Sequence, residues 1–340
     1  MSDAGPGKAP DSVRAIADAV LYEGYILWPY RRTALKNQRR FTFGGVYPRA
    51  HSRDHPDDPC TMHTEVLLLA AADAHVRVTV RFLHVVRRAA ARRTGGELRE
   101  VDEVSAGGQR YTTWEEAVER EIDVCPTPVG ELTRHSSRVP IRIHAGRELE
   151  ELPGGESALL RTWEALEGEV EVRAARAALT DAWRVSVHIE NATPFAGGSR
   201  ELALARTFCS THTMLHAPRG AFSSLADPPA ELRSAAAACR NAGAWPVLVG
   251  KPGDRTAVLS SPIILEDYPR VAPESPGDLF DGGEIDQMLI LNILALTDEE
   301  KAEMAASDPR AKEILERTEA LTPEQLMALH GAIREFGMAR

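Results

Sequence analysis

The chain has 340 residues, 43% apolar and 26% charged, a globular balance, and it is long enough to bury a core without disulfides or a structural metal. Its formal charge of −10 at pH 7 argues against broad binding to nucleic acid or to acidic lipid. Four widely spaced cysteines make no disulfide framework. The longest apolar stretches, Val66–Ala72 and Met288–Leu296, fall far short of the ~20 residues that cross a bilayer.

Residues 1–11 carry Gly, Pro, Asp and Lys and lack the apolar run of an export signal. They read as a disordered tail, which makes a cytoplasmic chain with reduced thiols and no membrane insertion the expectation. Ser12 is placed to cap a helix over Val13–Leu21, with Val13, Ile16, Ala17 and Val20 on one face. The segment Tyr22–Pro48 interleaves aromatic residues with Arg31, Arg32, Lys36, Arg39 and Arg40. Two short strands are expected there, around Tyr25–Trp28 and Arg40–Val46. Arginine and aromatic rings suit base stacking or a phosphate. Aromatics at strand spacing more often fill a core, so a structural role or protein contact is the better reading. Residues 49–60 are polar and proline-bearing, a loop.

A period of two then dominates. Val76, Val78, Val80 and Phe82 alternate with Arg77, Thr79 and Arg81; Val139, Ile141 and Ile143 alternate with Arg142 and His144. Val170 and Val172 repeat the pattern, and so do Trp183, Val185, Val187 and Ile189. Such segments predict antiparallel sheet with one face in the core. Residues Glu167–Thr193 read as a long hairpin, and Ala89–Arg110, charged and glycine-bearing, as an exposed loop. Residues 12–195 are thus expected to form a mainly antiparallel β domain.

The texture changes beyond Pro194. A helix is predicted over Pro229–Ala242, capped by Asp227, followed by strands Trp245–Gly250 and Ala257–Leu265. Another helix is expected near Gly283–Leu296. Thr297 with Glu300 and Thr322 with Gln325 match the capping-box spacing, and Asp308 with Pro309 signs a further start. Between them, Ile314, Leu315, Thr318 and Leu321 form one stripe. The fold class predicted is α+β: an antiparallel β-sandwich-like body, then an α/β and helical portion over 196–340. Whether the two regions share a core is left open.

Two constellations carry chemistry-bearing side chains. In the first, Cys209, His212 and His216 share a face if the segment is a helix, whereas in a regular strand Cys209 points away from both imidazoles. Thiolate and imidazole suit zinc, iron or nickel, and Cys60 and His63, with Glu65, offer a second set of the same character. A thiol nucleophile paired with His212 is a further reading; the plainest is a buried small thiol beside packed histidines. The second constellation is the proline-rich acidic stretch 259–282 and its continuation, holding Asp267, Tyr268, Glu274, Asp278, Asp281 and Glu284. Each proline restricts the residue before it, so the path is rigid and irregular and suits an interface. No GxSxG elbow, HExxH pair, CxxC or phosphate-binding glycine loop is present.

The segments Leu21–Arg31, Phe208–His212, Trp245–Gly250 and Leu259–Gly282 resemble a family of uncharacterised bacterial proteins associated with actinobacterial gene clusters for nickel-iron hydrogenases and their maturation factors. The resemblance spans about residues 20–320. It implies a cytoplasmic accessory protein in hydrogenase assembly or function, whose partner is the large subunit or a maturation factor. It also favours iron or nickel at Cys209, His212 and His216, although one cysteine and no histidine-rich tail depart from a chelator's pattern. The alternatives are a metal- or thiol-dependent hydrolase using Cys209 and His212, and a structural subunit of a homo-oligomer.

Overall fold

The computed structural model describes residues 14, 16–18, 21, 43–178, 180–269 and parts of 293–322. The tail 1–11, the strand near Tyr25–Trp28, the helix start at Pro309 and the residues after Thr322, with Gln325, lie outside the described residues. So does almost all of the helix expected near Gly283–Leu296.

The fold is mixed α+β, built on two large antiparallel sheets with a few short helices. In chain order the strands are β1 (Thr61–Ala70), β2 (His75–Thr94), β3 (Glu97–Val101), β4 (Glu103–Ala106), β5 (Gln109–Thr112) and β6 (Trp114–Pro128). Next come β7 (Ser137–Ile143), β8 (Gly146–Glu151), β9 (Ser157–Trp163), β10 (Leu166–Arg176) and β11 (Ala182–Asn191). The last are β12 (Cys209–His216), β13 (Gly220–Ser223), β14 (Trp245–Leu248) and β15 (Ala257–Ser261). One sheet has five strands in the order β13-β1-β11-β10-β7. The other has eight, in which β14-β15-β12-β2-β9-β8 form the main path and β3 and β6 join along β2.

The alternation seen in the sequence becomes the core. Val66, Leu68, Val170, Val172, Val185, Val187 and Ile189 of the five-stranded sheet meet Val76, Val78, Val80, Phe82, Leu215 and Val258 of the other. Phe82 and Phe208 stack between them, ring centres 4.6 Å apart. Gly168 is required at this seam, because a Cβ there would sit 2.3 Å from the Glu190 carbonyl oxygen and 2.9 Å from Phe208. The hairpin over Glu167–Thr193 forms from β10 and β11 in continuous register. Strands from either side of residue 195 occupy the same sheets, since β12 pairs with β2 and β13 with β1.

Several local expectations are corrected. Residues 89–110 are not an exposed loop: β2 runs on to Thr94, and β3, β4 and the start of β5 follow. Ala89, Ala90 and Ala91 are buried there, too small to print a strand pattern but flanked by β3 and β9. Within 49–60, Arg49–Asp54 is a short helix. The helix at 229–242 shrinks to a 3₁₀ turn, Ala230–Leu232, and Arg233–Ala237. Asp227 does not cap it; its amide donates to Ser224 Oγ (2.9 Å). The chain leaves the helix early, where the Asn241 side chain binds the Glu65 backbone on both sides, accepting at 2.8 Å and donating at 3.3 Å. Strand β15 ends at Ser261 instead of Leu265, immediately before Pro262.

Two helical signals hold. The described residues among 14–21 are helical, and Ile16, Ala17 and Leu21 are buried. Thr297 caps the helix Asp298–Ser307 through a reciprocal box. Its amide donates to Glu300 Oε2 (2.7 Å) while Thr297 Oγ1 accepts from the Glu300 amide (3.3 Å).

Candidate functional site

The segment holding Cys209, His212 and His216 is strand β12. A regular strand would turn Cys209 to the face opposite His212. A bulge prevents this: Cys209 pairs with Leu83 and His212 with Arg81, so three steps on β12 span two on β2. Ser210 takes up the extra residue at φ +50°, a left-handed conformation that costs a residue with a Cβ about 1 to 2 kcal/mol. The bulge returns the thiol to the face of the two imidazoles, the outer face of the eight-stranded sheet. They share that face without converging. Their partners Leu83, Arg81 and Arg77 space them about 7 Å and then about 13 Å apart along the strand.

Each side chain has a different setting. Cys209 is sealed among Leu21, Tyr47, Leu83, Val85, Ala203 and Leu204, its Sγ 3.7 Å from the Thr207 carbonyl oxygen. His212 is fully buried. Its Nδ1 lies 3.2 Å from the Ser210 carbonyl oxygen, while Nε2 has no partner among the described residues. Burial, and after it the Arg81 guanidinium, pushes its pKa down to about 3, so the ring is neutral. A neutral ring that donates from Nδ1 leaves a bare acceptor at Nε2. Arg81, 2% exposed, is held by Asp18 at 2.6 Å and Glu119 at 2.9 Å, yet its Nη1 also has no partner among the described residues. His216 is half-buried, its pKa lowered first by burial. Met214, on the same face, separates the two histidines and packs with Val247 and Leu259.

Cys60 and His63 stand elsewhere. Cys60 precedes β1, where its carbonyl accepts the Asn191 amide at 3.0 Å. His63 projects from the outer face of the five-stranded sheet, 3.5 Å from Glu65 and with its ring centre 5.9 Å from that of His188. The thickness of the sandwich, about 10 Å between sheets, lies between the two sets. Among the described residues, no three His, Cys, Asp or Glu side chains gather as a metal cage. Asp267 and Tyr268 are fastened to β14: Asp267 Oδ1 accepts from the Leu248 amide (2.8 Å), and the Tyr268 amide donates to the Leu248 carbonyl (2.7 Å). Glu274, Asp278, Asp281 and Glu284 lie outside the described residues.

Beside Cys209 the structure assembles a polar corner that the sequence reading passed over. Arg200, from the helix Arg200–Leu204, donates to Tyr47 Oη (2.6 Å) and to both Asp58 oxygens (3.1 Å each). Asp58 also binds His51 Nε2 at 2.9 Å, and His51 stacks on His55, centres 4.2 Å apart. Burial raises the Asp58 pKa, but its bonds to Arg200 and His51 outweigh that and hold it below the ordinary value. Arg200 also interacts electrostatically with Cys209. The one legible signal was the i, i+4 spacing of His51 and His55 before Asp58; nothing in the sequence pointed to Arg200. The corner clamps the helices Arg49–Asp54 and Arg200–Leu204 over the thiol. The chain matches no protein-family model and no curated protein.

Proposed function

We propose that this protein is a cytoplasmic accessory protein of nickel-iron hydrogenase assembly or function that works by docking a protein partner, the large subunit or a maturation factor. The hydrogenase part of the reading rests on the resemblance of the segments around residues 21–31, 208–212, 245–250 and 259–282. The docking part is carried by one observation: exposed apolar side chains gather where that last segment begins. Ile264 is 73% exposed, Phe43 50% and Trp245 44%. Trp245 pairs with Ser261 across β14 and β15. Phe43 precedes Gly44, whose backbone lies so close to Pro262 that a Cβ would sit 2.5 Å from its ring. Large apolar residues grouped at a surface favour an interface.

Co-expression with the large subunit, and separately with each maturation factor, followed by affinity purification of the full chain tests this. A stoichiometric complex is expected with one of them, lost in Ile264→Glu and Trp245→Glu variants that still fold. No complex with any of them, or a complex indifferent to both substitutions, overturns the reading. A chain that instead forms defined homo-oligomers through this patch would be a structural subunit.

A metal- or thiol-dependent hydrolase is the second reading, favoured by the bulge that sets Cys209 and His212 on one face. The residues fit a metal poorly, being strung along a strand with Met214 between the histidines. Zinc, iron and nickel contents of purified protein, compared with Cys209→Ala and His212→Ala, decide the matter. About one ion per chain lost in both variants supports the metal form.

A further inference from the structure

We propose that a cavity on the outer face of the five-stranded sheet binds a small organic anion through arginine. The cavity has a volume of about 480 Å³, within the roughly 300–1,000 Å³ of small-molecule sites, so it accommodates more than a lone ion. Its floor is the sheet itself, where Glu65 pairs with Ser186 and Ser186 with Arg173, and where Leu67 pairs with Arg184 one row on. Its wall is the turn through Leu132–Ser136, pinned to β10 by the bond from the Ala174 amide to the Leu132 carbonyl (3.1 Å).

Three arginines line this space, Arg134, Arg173 and Arg184, against one acidic residue, Glu65. The carboxylate is largely occupied: Glu65 Oε2 accepts from the Arg240 amide at 2.8 Å, and Oε1 faces His63 at 3.5 Å. Arg184 comes no nearer to it than 3.8 Å, beyond hydrogen-bond reach. Arg173 places one Nη on Glu171 (2.6 Å) and keeps its remaining donors. Arg134 has no side-chain partner among the described residues.

Elsewhere on this face Arg138 shares with Arg173 the one carboxylate of Glu171, at 2.8 Å. Here a turn brings an unpaired arginine over two that are under-used, on a chain whose formal charge is −10. Guanidinium forks match the paired oxygens of carboxylate and phosphate. The shared chemistry is therefore an oxyanion carried by a compact organic body, with Ala175 providing the apolar contact.

Isothermal titration of the full-length protein at low salt with citrate and, separately, with glycerol 3-phosphate tests the assignment and distinguishes carboxylate from phosphate. Saturable binding of at least one probe is expected, weakened about tenfold or more in Arg134→Gln and in Arg184→Gln and unchanged in Arg110→Gln, which alters an arginine paired with Glu103 on the β4–β5 hairpin. Arg134→Gln changes an exposed turn side chain, so its thermal melt should match the parent. Absence of saturable binding for both probes, or binding that Arg134→Gln and Arg184→Gln leave intact, overturns the proposal. The site is separate from the apolar patch at Ile264, so either result stands apart from the docking reading.

Discussion

His212 and His84 are two histidines whose chemistry burial alters strongly. Burial, then the neighbouring Arg81 or Arg120, lowers their pKa values from 6.5 to about 3 and about 4. A histidine depressed in the folded state contributes stability that is complete above 6.5. That contribution is lost as pH falls, because the unfolded chain takes up a proton that the folded chain refuses. By pH 5 each should have cost about 2 kcal/mol relative to neutrality. Urea midpoints should therefore drop between pH 7 and pH 5, and His212→Gln should flatten the slope; a flat wild-type profile would contradict the burial of a neutral ring. Ser210 offers a second test. Its φ of +50° and a hydroxyl without a partner among the described residues are both relieved by glycine, partly offset by the freer unfolded chain. Ser210→Gly should stabilise by up to about 1 kcal/mol in the same assay, whereas a loss would mean that the hydroxyl is bound in solution.

Elements are held in register by a few buried polar side chains. Asn191, fully buried, donates to the Val46 and Arg206 carbonyls (2.8 Å each) and accepts the Thr193 amide (2.9 Å). It joins the end of β11 to the strand of chain before the His51 helix and to the turn before β12. Asn191→Ala takes the partner from the Arg206 carbonyl and the Thr193 amide, while the Val46 carbonyl keeps the Phe208 amide (3.1 Å); it should cost about 2 to 4 kcal/mol, read as a shift in thermal or urea midpoint with unchanged far-ultraviolet dichroism. Local signals of this scale were partly legible. The Thr297–Glu300 box and the β10–β11 hairpin follow from short spacings, and both are formed. The strands within 89–110 were not legible, since alanine and arginine are neutral in pattern and only the neighbours β3 and β9 bury them.

At the scale of the molecule, the two sheets decide which reactive groups meet solvent. Cys209 is sealed beneath the Arg200–Asp58–Tyr47 corner, while Cys125 on β6 is exposed. A thiol reagent should label Cys125 within minutes in native protein and reach Cys209 only under unfolding conditions; an Arg200→Ala variant, with its clamp cut, should shorten that delay. Rapid native labelling of Cys209 would favour the thiol-enzyme reading over docking. Among the described residues no helix is long and apolar enough to cross a membrane.

What the sequence determined by itself was whatever depends on near neighbours: the period of two that makes one face of each strand apolar, the hairpin, the capping box and the α+β class. Tertiary structure decided whatever depends on a partner far along the chain. The same eight residues from Cys209 to His216 offered a helix face or a split strand, and only pairing with β2, through the bulge at Ser210, set the thiol and both imidazoles on one side. Arg200 reached Asp58, and Arg134 reached the face of β10 and β11, because sheet packing brings together positions that no local pattern relates. Backbone periodicity is written in adjacent residues, whereas side-chain neighbourhoods arise only when distant strands close on one another.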